Sequence, residues 1–311
     1  MSRAEAVEHS FGEQMYREEQ TMAQMVWRAF RRHKPAMIGL GVMLALVLAA
    51  IFAPVLSPYD PEKTELSKML EPPSVQHLMG TDELGRDLLT RILYGGRVSL
   101  SIGVMAMALA VLVGAAVGGL AGSYGGWVDN ILMRITDMML AFPQLFILII
   151  LAIALRDIPI EALRGTAFAS VLSIVLVIAV LAWMQVARLV RASFLSLKEK
   201  EFTEAARCLG VPNWRIMARH LMPNTMSPII VAATFRVATS IITESGLSYL
   251  GFGIQPPTPT WGNMLKNAQE QMTRAPWTAI FPGLMIFVTV IAINFIGDGL
   301  RDALDPHKVE G

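Results

Sequence analysis

Six stretches of this chain, at 36–56, 98–122, 131–155, 166–187, 228–250 and 279–297, are almost continuously apolar. A helix needs about 20 such residues to cross about 30 Å of hydrocarbon. Inside lipid every backbone N–H and C=O must find its partner within the chain, which a helix achieves segment by segment. The pattern therefore predicts an all-α integral membrane protein with six transmembrane helices. Composition agrees, since 54% of the 311 residues are hydrophobic and 16% are charged, against about 25% charged in a soluble domain. The first run is expected to be retained as a span. It begins well inside the chain, and its exit, Ala53-Pro54-Val55-Leu56-Ser57-Pro58, lacks the small-x-small pattern of a cleaved signal.

Basic residues orient the spans. Arg28, Arg31, Arg32, His33 and Lys34 crowd the entrance to the first, which predicts a cytoplasmic N-terminus. Six crossings return the C-terminus to that side. The connection between spans four and five must then be cytoplasmic too, and it holds Arg188, Arg191, Lys198, Lys200, Arg207, Arg215 and Arg219. A net charge of +1 argues against nucleic acid as a partner; membrane lipid is the expected environment.

Three parts are expected: a cytoplasmic leader over 1–35, one membrane domain over 36–300, and a cytoplasmic tail over 301–311. Within 13–34, Met22, Met25, Val26 and Phe30 recur at helical spacing, which predicts an amphipathic helix lying on the inner surface. The first outside loop, 57–97, opens with turn chemistry and is expected to contain a short helix over 88–94. A glycine-rich turn, Gly122 to Trp127, joins spans two and three. Prolines at 256, 257 and 259 predict a stiff, extended path in the last outside loop.

Catalytic chemistry finds no place at membrane depth. His9, His33, His77, His220 and His307 all lie outside the spans, and no H-E-x-x-H pattern exists. Ser240, Ser245 and Ser248 have no embedded His or Lys as a base. No catalytic residue and no metal ligand set is expected. Asp82, Arg86 and Asp87 lack the alternating ligands of a calcium loop, and read instead as loop-fixing salt bridges or a contact for an external protein. The 20 methionines read as apolar filling, and Cys208 as a small buried apolar residue. A phosphate-binding G-x-x-x-x-G-K-[ST] loop is also missing from the sequence, so no nucleotide cofactor is expected on this chain.

The connection at 198–223 carries the strongest local signal. Thr203 is a candidate N-cap, with Glu204 favourable in the first turn. Ala205 and Ala206 keep that turn slim, Gly210 stops the helix, and Pro212 suits the start of a second short one. Pro223 marks the entrance to span five. The expected product is two short helices at a sharp angle, whose small-residue tip fits a cleft in a soluble partner.

Glu204-Ala205-Ala206-x3-Gly210, nine residues, then His220-Leu221-Met222-Pro223 resembles the EAA motif of ABC-importer permeases. Its histidine resembles the dipeptide, oligopeptide and nickel branch, with Met222 a conservative departure from leucine. Gly80-Thr-Asp-Glu-Leu-Gly-Arg-Asp87, Arg91, Asp129, Arg134, Asp137, Ala141-Phe-Pro143, Gly246-Leu-Ser-Tyr-Leu-Gly251 and Pro259-Thr-Trp-Gly262 are similar to the "C" permease of peptide importers. The resemblance implies a type I importer fold in the inner membrane, with Glu204, Ala205, Ala206, Gly210 and Pro223 in the ATPase-coupling segment. Implied partners are a homologous permease, two ATPase subunits that hold ATP and Mg, and an extracytoplasmic solute-binding protein. Asp82, Arg86, Asp87 and Trp261 become candidate external contacts. The implied substrates are di- or oligopeptides, although some relatives carry nickel, glutathione or sugars.

Two ionisable residues remain inside span five, Arg236 and Glu244, about 80° apart around the helix and about 12 Å along it. With Ser240 and Thr243 they form a polar stripe that is either a wall of the translocation path or a structural pairing surface for the partner permease. Ala238 and Ile242 are expected on the opposite face.

Overall fold

A computed structural model describes residues 21–156 and 167–305. Residues 1–20 and 306–311, and with them parts of the leader and tail, lie outside the described residues, as does the connection at 157–166. Among the described residues five helices are long and apolar enough to cross a membrane, and a bent pair makes up to six. They are α2 (Lys34–Ile51), α4 (Leu88–Tyr124), the pair α5 (Gly126–Ala141) and α6 (Gln144–Arg156), α7 (Ala167–Lys198), α10 (Met222–Tyr249) and α12 (Trp277–Leu304). Shorter helices are α1 (Met22–Arg32), α3 (Ala53–Leu56), α8 (Glu201–Cys208), α9 (Asn213–Ile216) and α11 (Trp261–Ala268).

Two expected boundaries move because adjacent helical segments fuse. The short helix expected over 88–94 is the first two turns of α4, capped by Asp87, whose carboxylate accepts from the Thr90 N–H at 2.8 Å. The glycine-rich turn shrinks to Gly125, because 122–124 stay helical. Span three, expected as one helix, is instead broken, its two parts bent by 94°. Pro143 explains the break. A proline drives the preceding residue out of the helical region, and Phe142 sits at φ −86°, ψ 144°.

Small residues let the central pair of helices meet at backbone distance. Gly114, Gly118 and Gly122 form a one-per-turn stripe on α4 against α7. A Cβ at Gly118 would lie 2.3 Å from the Ala187 carbonyl oxygen, and one at Gly114 or Gly122 would lie 2.6 Å from Val186 or Phe194 Cβ. Such stripes are how membrane helices gain dispersion contact where no hydrophobic drive exists between them. Above the stripe, Ile102, Ala106, Leu148, Val177, Ile178 and Leu247 bury a shared core between α4, α6, α7 and α10.

The helix α1 opens with a capping box between Thr21 and Gln24. Val26 and Phe30 of its expected stripe pack on Ala36 and Ala303. Part of the amphipathic face is therefore engaged with α2 and α12, while Trp27 stays exposed. His33 separates α1 from α2 and accepts from the Ala36 N–H through Nδ1 at 3.2 Å.

Candidate functional site

At the end of the bundle where α7 stops, residues 199–212 form a short helix and the turn that ends it. Glu201 and Glu204 stand in the first turn of α8, where negative charge complements the helix dipole. The N-cap is Lys200 rather than Thr203. Thr203 lies in the first turn, fully buried, and its hydroxyl donates to the Leu197 carbonyl at 2.8 Å, satisfying the end of α7. The C-terminus is a Schellman motif: the Val211 N–H donates to the Ala206 carbonyl at 3.1 Å and the Gly210 N–H to that of Arg207 at 2.9 Å. Gly210 holds φ +75°, with open space where a Cβ would stand. The backbone angle, not crowding, selects glycine there.

The expected small-residue tip divides. Glu204 and Ala205 are exposed, but Ala206 points inward and is buried with Phe194, Ile216, Leu221 and Ile229. Exposed beside them are Cys208, expected to be buried, and Leu209 at 83%. Nor is the second short helix separate. It runs from α9 through a π-helical turn, Met217–Leu221, into α10. In a regular helix the Pro223 ring would meet the Arg219 carbonyl; the wider turn accommodates it, with the Met222 N–H bonded to the Met217 carbonyl.

Halfway along the bundle, α6, α7 and α10 surround a cleft of about 300 Å³. Arg236, Ser240 and Thr243 of the expected stripe line it, together with Gln144 and Gln185. Nη2 of Arg236 donates to Gln185 Oε1 at 2.5 Å. Ile242, expected on the opposite face, also lines the cleft, whereas Ala238 is buried away from it. Glutamine 185 is the residue the sequence reading missed; an uncharged amide inside an apolar run was the available signal.

Glu244 does not join the cleft. It is fully buried and accepts from Ser248 Oγ at 2.7 Å and from Ser99 and Ser245 Oγ at 3.4 Å. Ser99 Oγ in turn accepts from the Trp261 N–H at 3.2 Å, and the indole N–H of Trp261 donates to the Ile92 carbonyl at 3.1 Å. Glu244 thus anchors α11 to α4 and α10, because a buried carboxyl group needs every partner it can gather.

Near the start of α4 the loop at 57–87 is fixed by two ion pairs on Asp82 and a histidine–carboxylate contact. Arg86 Nε meets Asp82 Oδ2 at 2.7 Å, Arg91 Nε meets the same oxygen at 3.3 Å, and His77 Nδ1 meets Asp87 Oδ1 at 2.9 Å. Burial, and then the Asp82 carboxylate, push the adjoining Glu83 carboxyl above its ordinary range. Asp82, Arg86, Asp87 and Trp261 are all buried. These side chains hold the loop together, while Val75 and Leu78 beside them are exposed. No group of acidic, histidine or cysteine side chains suited to a metal occurs among the described residues.

On α5, Asp129 receives a two-pronged pair from Arg191, Nε to Oδ1 at 2.5 Å and Nη2 to Oδ2 at 2.6 Å. Asp137 pairs with Arg188. Both tie the broken span to α7.

A bundle of long apolar helices, interrupted by a short helix between two of them, is the fold of a multi-spanning membrane protein, and sequence comparison makes the class specific. Residues 110–309 match the family of binding-protein-dependent transport system inner membrane components, and residues 21–73 match the N-terminal transmembrane domain of oligopeptide transport permease C. The dipeptide transport system permease protein DppC of Alkalihalophilus pseudofirmus is 43% identical over 293 residues, covering 93% of this chain and 92% of the relative. The glutathione transport system permease protein GsiD of Pectobacterium atrosepticum is 45% identical over 282 residues, covering 90% and 89%. That of Escherichia coli O157:H7 is 45% identical over 286 residues, covering 92% and 90%. Among solved structures, the crystal structure of an amino acid ABC transporter with histidines shares the fold at TM-score 0.50 and 16% identity, covering 69% of this chain and 92% of that one. The chain belongs to the binding-protein-dependent permease family and is a multi-pass, non-catalytic permease subunit of an ABC importer.

Proposed function

We propose that this permease forms one half of a translocation pathway for di- or oligopeptides and is driven through α8 by separate ATPase subunits. The observation that carries the coupling role is the geometry of 199–212. A short helix ended by a Schellman motif exposes Glu204, Ala205 and Leu209 while Thr203 and Ala206 lock its other side to the bundle. A segment seated this way passes a push at its exposed face into α7 and the base of α10. On this reading ATP and Mg reside on the ATPase subunits, and the α8 end, the N-terminus and the C-terminus are cytoplasmic. The loop at 57–87 and α11 face the other side, where a solute-binding protein delivers its cargo to the pathway shared with a homologous permease. Arg236, Ser240 and Thr243 line that pathway.

The peptide substrate rests on the similarity to a dipeptide permease. The glutathione permeases favour a second reading within the same chemistry, because glutathione is itself a tripeptide. Uptake into vesicles holding the assembled complex, measured with labelled dialanine and labelled glutathione, separates the two. Uptake of neither, in a complex that hydrolyses ATP in response to its binding protein, would reject both.

A further inference from the structure

Two polar atoms in the α6–α7–α10 cleft are buried without a partner: Nε of Arg236 and Oγ of Ser240. Their neighbours show how unusual this is. The hydroxyls of Thr239 and Thr243 both return to their own helix, donating to the carbonyls of Arg236 at 3.0 Å and Thr239 at 2.8 Å, which is the ordinary fate of a hydroxyl inside a helix. Ser240 is only 1% exposed and makes no such bond. One turn away, the guanidinium engages a neutral amide, Gln185, through Nη2 alone. Among the described residues lining the cleft, Arg236 carries the only charge. A part-buried guanidinium with one neutral partner and a buried hydroxyl with none are costly in an apolar bundle. The ligand that repairs both is a planar anion with two acceptor oxygens, one for the guanidinium edge and one for the hydroxyl. A cleft of about 300 Å³ is at the lower end for small-molecule pockets, about 300–1,000 Å³. It fits one end of a solute rather than the whole.

We infer that this cleft is a carboxylate-binding subsite, in which Arg236 and Ser240 hold the carboxylate end of the transported solute, a reading that rests on this face of α10 lining the pathway. Gln185 fixes the guanidinium through Nη2 and leaves Nε without a partner, so a small shift of the side chain would present it to the ligand. Because the site lies on one wall of an open bundle, it holds the solute briefly and by one end.

The test uses the assembled complex with Cys208 replaced by serine and Thr243 by cysteine. Alkylation of residue 243 by a small aqueous thiol reagent is followed by mass spectrometry, with the same cysteine in the denatured complex as the positive control. Dialanine and its C-terminal amide are the competing probes. The expected result is that dialanine slows alkylation at a concentration at least about tenfold lower than the amide, as one charge-assisted hydrogen bond implies. Arg236→Gln should erase that difference and Arg236→Lys should keep part of it. Equal protection by both probes, or by neither, at a reactive residue 243 overturns the subsite and leaves the pathway reading standing. An unreactive residue 243 overturns both. If the complex falls apart with Arg236→Gln while the parent shows no preference for the acid, Arg236 pairs with the partner permease and the subsite is likewise rejected.

Discussion

Gly210 and Ala206 show how differently two small residues are used within one turn of chain. At Gly210 the requirement is the left-handed backbone, which costs a side chain with a Cβ about 1–2 kcal/mol. Gly210→Val is therefore expected to loosen the end of α8 without hindering insertion. Uptake should fall several-fold while the ATPase activity of the reconstituted complex persists; wild-type uptake would remove the need for this bend. At Ala206 the requirement is volume. Tryptophan there overfills a packed contact, at a cost of about 1–3 kcal/mol, and should make the segment open to protease in the isolated chain. Ala205→Trp, on the exposed side, should leave protease resistance unchanged yet prevent co-purification of the ATPase subunits. Normal assembly and uptake with tryptophan at 205 would place the docking surface elsewhere. From sequence alone the alanine pair reads as one tip, because the pattern gives their size and not the direction each faces.

Helix existence and rough position were legible, because twenty apolar residues have few other fates. Joins between helices were not. The fusion of 88–94 into α4 and of α9 into α10 depends on neighbours that satisfy the extra turns, while the bend at Phe142–Pro143 depends on what receives the two halves. The ion pairs from α7 supply that reception. Asp129 is mostly buried against Arg191, so Asp129→Asn should lower the melting temperature of the purified complex, a loss equivalent to about 1–3 kcal/mol. Adding Arg191→Gln should restore part of it, since the second change removes the cation left unpaired. A double variant less stable than both single variants added together would contradict the pairing. The polar stripe of span five was half legible for a similar reason. Arg236, Ser240 and Thr243 line one cleft, but so does Ile242, and Glu244 is buried among Ser248 of its own helix and Ser99 of another, 145 residues away in sequence.

Across the whole molecule, Glu244 joins three helices at one point. Glu244→Ala would leave the Ser99, Ser245 and Ser248 hydroxyls with fewer partners and release the Trp261 end of α11. Hydrogen exchange at 258–268 should rise well above the parent, with little change at α8. Unchanged exchange there would mean that the indole contact with Ile92 holds α11 by itself.

The glycine stripe of α4 also has a mechanical meaning. A helix of 37 residues is about 55 Å long, well beyond the hydrocarbon it crosses, and Asp87 clamps its first turn into the 57–87 loop. Pressed against α7 at backbone distance, it has no slack along its lower half in which to flex. It is a rigid rod reaching from the loop at one surface to the turn at the other. Tilting such a rod by about 10° about one end sweeps the other through roughly 10 Å. A thrust of an ångström or two near α8 would accordingly be geared up with distance, and the loop at 57–87 would travel farthest of all.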